Sequence, residues 1–392
     1  MRKDHATAGR GTGQGKAQTV SVVPAGALRV FNISPGRDPR WLHFIRAHPE
    51  ASIYHHPLWL QVLKAEYPQP QVTLACEDAD GQLHGLLPLV YTRGLPGWLG
   101  GQRAVHRLSS LPRTPLAGPL AIDSRSMARL LRAAVRLAQE DSTLQLELKM
   151  QADPVGLVRG LSRVPWRSSY VLHLPENPAD YRLGDSAKHR HRIKGAVKKA
   201  RQSGLEVRPA ESEEELRRWY VLYLDTMRRK VVPPRPYRLF TAMWEVLRPH
   251  GLMQLLLAER DGPAGKEIIA GSIFLQFGAT VFYAFTGCLR QNFPLHPHDL
   301  IQWHAIYQAA RRGYRRYDFG EVAEDSQSLI QFKSKWGAQE QQLFRYYSPA
   351  PENLVSSSLP FGGLAGNLLS RVWRRVRLPA TARLGDWIYS YL

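Results

Sequence analysis

Cysteine is nearly missing from this chain. Cys76 and Cys288 are the only two in 392 residues and lie far apart, which leaves no disulfide framework and no Cys/His zinc cluster and points to a reducing compartment. No apolar run reaches the length that spans a bilayer, and residues 1–20 are basic and rich in Gly and Thr without the apolar stretch of a secretion signal. Cytoplasmic residence is expected, with membrane contact only at the surface. His189 with His191, and His296 with His298, have no third ligand at metal spacing, so no metal site is expected. Carboxylates are also scarce: Asp plus Glu number 33 against 53 for Lys plus Arg, a formal net charge of +20. Such an excess is more than solubility requires, and it directs attention to polyanions: tRNA, phosphate-bearing substrates or an anionic membrane surface. A hydrophobic fraction of 44% excludes a disordered chain, and the length allows two domains.

Residues 1–26 read as a flexible basic tail. Asp38 followed by Pro39 marks a helix start, and Pro57 opens another helix. Strands over Val72–Cys76 and Leu83–Tyr91 flank the turn Asp80-Gly81, and a Gly/Pro-rich loop, Leu95–Pro119, follows. Met127, Leu130, Leu131, Ala134 and Ala138 recur at helical spacing over Ser126–Gln139, and Thr143–Lys149 alternates as a strand. The second half repeats that order. Ser212 and Glu215 form a capping box before Leu216, Trp219, Tyr220, Tyr223 and Met227. Strands Met253–Glu259, Ile268–Phe277 and Thr280–Thr286 come next, then helix Asp299–Arg312 and strand Arg315–Phe319. The duplication argues for two α/β domains of one design rather than one large sheet.

The chemistry-bearing stretch is residues 311–347. A helix ends at Gly313, a short strand follows, and a polar turn carries Glu321, Glu324 and Asp325 towards Phe332 and Lys333. Carboxylates and a lysine at a strand exit suit a base and an oxyanion stabiliser. The DFG within it is not a kinase signature, because the glycine-rich loop, the V-A-I-K strand and the H-R-D loop are all missing. In Ser186–Arg201, Ile193, Ala196, Val197 and Ala200 form an apolar stripe. Lys188, Arg192, Lys194, Lys198, Lys199 and Arg201 fill the remaining arc with no carboxylate between them. Like charges at helical spacing cost about a few tenths of a kcal/mol each, so phosphate contact is expected, with the run facing the junction between the halves. Tyr283 and Phe285 are expected on one face of their strand. Either both pack in the core, or the Tyr283 hydroxyl orients an amine or a sugar hydroxyl. The end of the chain, Gly366–Leu392, groups Leu368, Leu369, Val372, Trp373 and Val376 with Arg371, Arg374, Arg375 and Arg377, followed by Trp387, Tyr389 and Tyr391. It suits either the edge of an anionic bilayer or a helix docked on the protein's own surface.

YDFGE, a short gap, FKxKWG and an alternating strand ending at Tyr346 and Tyr347 together resemble the FemABX family, peptidoglycan aminoacyltransferases and their relatives built on two GNAT (acetyltransferase-like) modules. The similarity extends over Tyr54–Tyr347 in layout and is sharp in Ser186–Gly204 and Tyr314–Gly337. It is nearest to the FemAB-like proteins that accompany bacterial exopolysaccharide or protein-sorting systems. The resemblance implies an α/β fold of two tandem GNAT-like modules with mixed sheets. The first would occupy 27–165, completed by about 338–350 because Gln339–Tyr347 would rejoin it. The second would occupy 166–337, and a basic amphipathic segment, 351–392, would follow. It also implies transfer of an aminoacyl or acyl group to an amine of a cell-envelope precursor, a lipid- or nucleotide-linked sugar. The donor would be an aminoacyl-tRNA or acyl-CoA acting as co-substrate, with no tightly bound cofactor. In that scheme Lys333 is the oxyanion's positive partner and Phe332 shapes the acyl channel. Asp318 or Glu321 takes the amine proton or holds the acceptor, and Arg190 and Lys194 face substrate. The loop LRQNFPLHPHDL lacks the glycines of a pyrophosphate loop, and Pro294 and Pro297 lack amide hydrogens. That weakens an acyl-CoA-dependent N-acyltransferase of amino sugars, the first alternative. A non-catalytic tRNA- or membrane-binding protein is the second.

Overall fold

The computed structural model describes residues 27–67, 69–93, 106–151, 156, 158–263, 265–351 and 370–391. The basic tail and part of the Gly/Pro-rich loop lie outside the described residues. The first half runs β1 (Arg29–Asn32), α1 (Pro39–Ala47), α2 (Pro57–Glu66), β2 (Gln71–Glu77), β3 (Leu83–Thr92), β4 (His106–Ser109), β5 (Leu120–Ala121), α3 (Ser124–Gln139), β6 (Leu144–Met150) and β7 (Ser162–His173). The second runs α4 (Ala187–Gln202), β8 (Glu206–Pro209), α5 (Glu213–Lys230), α6 (Tyr237–Val246), β9 (Met253–Gly262), β10 (Gly265–Phe277), β11 (Thr280–Cys288), α7 (Pro297–Arg311), β12 (Arg316–Val322), α8 (Gln327–Ser334) and β13 (Gln339–Ser348). A last helix, α9, spans Leu378–Tyr389.

Local chemistry accounts for the helix starts. The Asp38 carboxylate accepts from Arg40 N at 3.0 Å ahead of Pro39, whose fixed φ suits the first helical position. Ser212 and Glu215 close a reciprocal capping box on α5.

The repeat is real, but the two halves do not form separate sheets. The strands join in one sheet of order β1-β2-β3-β4-β6-β13-β7-β12-β11-β10-β9-β8, with β5 paired to β3. Each half contributes an antiparallel run that ends in a parallel pair, β4 with β6 and β11 with β12. Between them the halves exchange strands. β13, from the end of the second half, pairs with β6 of the first over Phe344–Ser348, while β7 pairs with β12 of the second. β13 thus lies between β6 and β7, pairing with β6 only from Phe344 onward, and this placement joins the strands of the two halves into one sheet.

One face of this sheet carries a core shared by both halves, in which Trp41, Tyr54 and Trp59 pack with Trp219, Tyr223 and Phe240. The other face carries two cores, one under α3 and one under α4 and α7. The shared core is what sets the halves at a fixed angle over the centre of the sheet.

Candidate active site at the parting of two strands

The parallel pairing of β11 and β12 lasts for three residue pairs, from Thr280↔Arg316 to Phe282↔Asp318. Beyond them the strands part. β11 is irregular against β10 where Ile273 pairs with Phe285 and the next residue, Phe274, pairs with Tyr283. That bulge at Ala284 reverses the alternation. Tyr283 packs into the core under α4 and α7, whereas Phe285 packs on the shared core, 5.1 Å from Phe240 in ring centroids. The expectation of one common face is thus corrected, because period-2 reasoning fails across an inserted residue. The Tyr283 side chain packs with Phe274 and Phe319, and burial raises the pKa of its hydroxyl against the influence of Thr286, Ser272 and Gln302.

β12 bulges as well, with its register against β7 shifting between Asp318 and Glu321 at Gly320, whose φ is +75°. Lys333 meets three carbonyls there. Its ammonium donates to the Phe319, Gly320 and Glu321 oxygens at 2.6, 2.7 and 3.2 Å. Lys333 lies near the end of α8, is 5% exposed, and is held at a pKa of about 8 by burial, against the pull of Asp318. Its three hydrogens are thus directed at backbone, so an oxyanion would reach it by displacing one of these carbonyls.

Asp318 stands beside the clamp. One carboxylate oxygen accepts from the Ser169 hydroxyl and from Gly320 N, each at 2.7 Å. Burial raises its pKa above the ordinary carboxylate range, with the Ser169 and Gly320 hydrogen bonds and Lys333 opposing. Tyr54 of the first half lies near enough for Asp318 and then Glu321 to add to the upward push that burial gives its hydroxyl. Glu321 itself is engaged by Arg345 at 3.2 Å. Phe332 is half-buried, with Lys335 Nζ 4.5 Å from its ring centre, and Lys335 also pairs with Asp299 in the first turn of α7.

Arg190 and Lys194 stand elsewhere. α4 buries Ile193, Val197 and Ala200 in the second half's own core, with α7 beside it, and turns its cations to solvent. The core under α4 lies on the opposite face of the sheet from Tyr54, so the basic run does not face the junction. Lys194 is exposed and Arg190 half-buried near the start of the helix. Among the described residues no carboxylate pairs with Lys188, Arg190, Arg192, Lys194, Lys198 or Lys199. Beside them runs an aromatic row. Trp303 lies 4.5 Å beneath the Arg201 guanidinium, Tyr307 5.0 Å from Trp303, and Tyr181 6.1 Å from Tyr307.

Residues 187–334 match the acetyltransferase (GNAT) domain family. The structure superimposes on that of FemX with a TM-score of 0.62 at 15% identity, covering 82% of this chain and 98% of FemX. The chain has the fold of FemX, with a GNAT domain over residues 187–334. It also superimposes on a conserved protein of unknown function from Bacteroides thetaiotaomicron, with a TM-score of 0.52 at 11% identity, over 82% of this chain and all of the other. In sequence it is 26% identical over 148 residues to the UDP-N-acetylmuramoylpentapeptide-lysine N(6)-alanyltransferase of Weissella viridescens. That match takes in 36% of this chain and 41% of the relative, so this chain aligns with less than half of that protein's length.

Several buried charged residues near the bulge and between the halves were not singled out by reading the sequence. Lys149 of β6 is 3% exposed and donates to the Leu111 carbonyl, and burial lowers its pKa despite Glu147. Burial pushes Glu147 upward, but Lys149 and Arg345 outweigh it and hold the carboxyl at about 2. Arg345 of β13 is 4% exposed over the Trp166 ring and reaches across to Glu321. Glu66 of the first half, fully buried, pairs with Arg235 of the second. These groups come from α2, β6, β13 and the connection before α6, and no fixed spacing across those elements could have announced them.

Proposed function

We propose that this protein transfers an aminoacyl or acyl group onto an amine of a cell-envelope precursor, with the reaction seated where β11 and β12 part and an aminoacyl-tRNA as donor. The observation that carries the reading is the joint placement of Asp318 and Lys333 on one bulge. A half-buried carboxylate with a raised pKa stands there beside a buried ammonium, at the opening between two strands. The relative whose name describes alanyl transfer to a lysine N6 supports an amine acceptor.

In this reading the acceptor arrives as an ammonium and gives its proton to Asp318, which Ser169 and Gly320 N hold in place. The amine then attacks the ester carbonyl, a C–N bond forms, the C–O bond to the donor's ribose breaks, and the ribose oxygen leaves with a proton. Lys333 fixes the bulge and supplies the positive field for the oxyanion. Its longest bond, to Glu321 O, is the one the oxyanion replaces. Phe332 borders the acyl group, and Tyr283 steadies the wall behind it. Glu321, tied to Arg345, orients the acceptor.

Two features favour a charged tRNA over acyl-CoA. Asp299 puts a carboxylate in the first turn of α7 and is held there by Lys335, so the positive end of that helix already has its anion. The carboxylate-free cations of α4 beside the row Trp303, Tyr307 and Tyr181 suit a phosphate backbone with unstacked bases, and there Arg190 and Lys194 would meet the donor. The acceptor is a lipid- or nucleotide-linked sugar, met on the cytoplasmic side of the membrane.

The test offers purified protein labelled alanyl-tRNA or labelled acetyl-CoA together with a pentapeptide-bearing nucleotide sugar. Transfer from the charged tRNA, lost in Lys333→Ala, is expected. Transfer from acetyl-CoA alone would move the reading to an N-acyltransferase. RNA binding without transfer from either donor would leave a binding protein.

A further inference from the structure

We infer that the C-terminal segment 370–391 is a docking face for an anionic lipid bilayer, held on the protein as a rigid platform. The segment adds a partner to the transfer reaction and does not depend on it.

α9 turns one side inward. Thr381 is fully buried, Tyr389 is 6% exposed, and Leu378 and Ala382 pack on the core shared by both halves. Gly385 sits so close to Pro234 that a Cβ there would lie 2.4 Å from the Pro234 carbonyl oxygen. The Tyr389 ring lies under the guanidinium of Arg113 from the first half, at 5.6 Å, and that of Arg235 from the second, at 5.4 Å. Asp386 pairs with Arg238, and Arg228 donates to the Val376 carbonyl at 3.2 Å. A docked helix is therefore what the chain adopts, and this alone would explain one apolar stripe.

The segment has a second stripe, and it faces out. Leu384 is 39% exposed, Trp387 37%, and Val372, in the helical turn at 370–375, 55%. Tyr391 lies edge-on to Trp387 at 5.4 Å. Around the stripe stand Arg371, Arg374, Arg375, Arg377 and Arg383, all exposed. Asp386 is the only carboxylate of the segment and is already taken by Arg238. A helix whose outward aliphatic and indole groups are rimmed by arginines without acids matches the boundary between headgroups and acyl chains, where the indole sits at the interface and guanidinium pairs with phosphate. A nucleic acid would meet the arginines but has no use for exposed Leu384 and Val372. A second copy would set one arginine-rich face against another.

The test is co-sedimentation of the full chain with vesicles of phosphatidylcholine alone or mixed with phosphatidylglycerol. Binding to the mixed vesicles only, weakening with salt, is expected. Arg374→Gln with Arg375→Gln should weaken it about 25-fold, at about fivefold per arginine, and Leu384→Ser or Trp387→Ala should weaken it without altering transfer to a soluble acceptor. Equal binding by these variants, no binding to the anionic vesicles, or self-association that Trp387→Ala abolishes would each overturn the inference.

Discussion

Lys333 Nζ donates to the carbonyl of Gly320 at 2.7 Å, and Gly320 holds a backbone conformation, φ +75°, that other residues rarely adopt. Glycine permits the bulge, and the ammonium binds the carbonyl oxygens around it. Lys333→Met should strand those carbonyls, lowering stability by about 1–3 kcal/mol and the transfer rate by roughly a hundredfold or more. Urea unfolding and single-turnover transfer check the two effects separately. Gly320→Ala should cost about 1–2 kcal/mol from the left-handed backbone alone.

Asp318 must be ionised to accept a proton, and burial raises its pKa. The transfer rate should therefore fall on acidification while ordinary surface carboxylates are still charged. The Ser169 hydrogen bond favours the ionised form, so Ser169→Ala should move this acid limb to higher pH. Asp318→Asn should remove the limb along with most of the rate. A pH–rate profile whose acid limb is unmoved by Ser169→Ala would separate Asp318 from the proton transfer.

Three histidines are held neutral, the buried His55 and His56 and the half-buried His298, each with its pKa lowered to about 4 by removal from water. For His55, Ser52 N donates to Nδ1 at 3.2 Å, which leaves Nε2 to donate to the Gly118 carbonyl at 3.0 Å. The unfolded chain takes up these protons near pH 6.5 and the folded chain only near 4. Stability contributed by the neutral rings is thus complete above pH 6.5 and is lost as pH falls towards 4, by up to about 3 kcal/mol for each ring. Thermal unfolding followed from pH 7 to 4 should show the midpoint dropping in that window, and His55→Gln should reduce the slope.

The pair Glu66–Arg235 joins the halves within a fully buried setting, and Arg235 also donates to the Arg113 carbonyl at 2.6 Å. Arg235→Met leaves a buried carboxylate alone and should cost about 3–5 kcal/mol. Adding Glu66→Met should restore much of it, as a double-mutant cycle in urea would report.

Much of this architecture could be read from the letters. Asp38-Pro39 and the Ser212/Glu215 box placed helices because capping is local, and the repeated element order told of two like halves. The fusion into one sheet was hidden, since β13 and β6 are joined by hydrogen bonds between residues about two hundred positions apart. Lys333, Asp318 and Glu321 lie in one short motif, and the fold brings the ammonium of α8 onto the β12 bulge that carries the two carboxylates. Arg190 and Lys194 lie on another face, because a helix period says which residues share a side and not what that side confronts. Lys149, Arg345 and the Glu66–Arg235 pair carry no signal beyond being charged.

The exchange of β7 and β13 has a consequence for biosynthesis. When the ribosome has delivered β6, that strand has β4 on one side and an open edge on the other, and the strand that closes it is some 190 residues from being made. Pairings of such long range form slowly and leave an exposed edge prone to wrong partners. The nascent chain must keep that edge unspent until nearly its last tenth emerges, so holding factors at the exit tunnel, more than the stability of the finished molecule, should govern its yield.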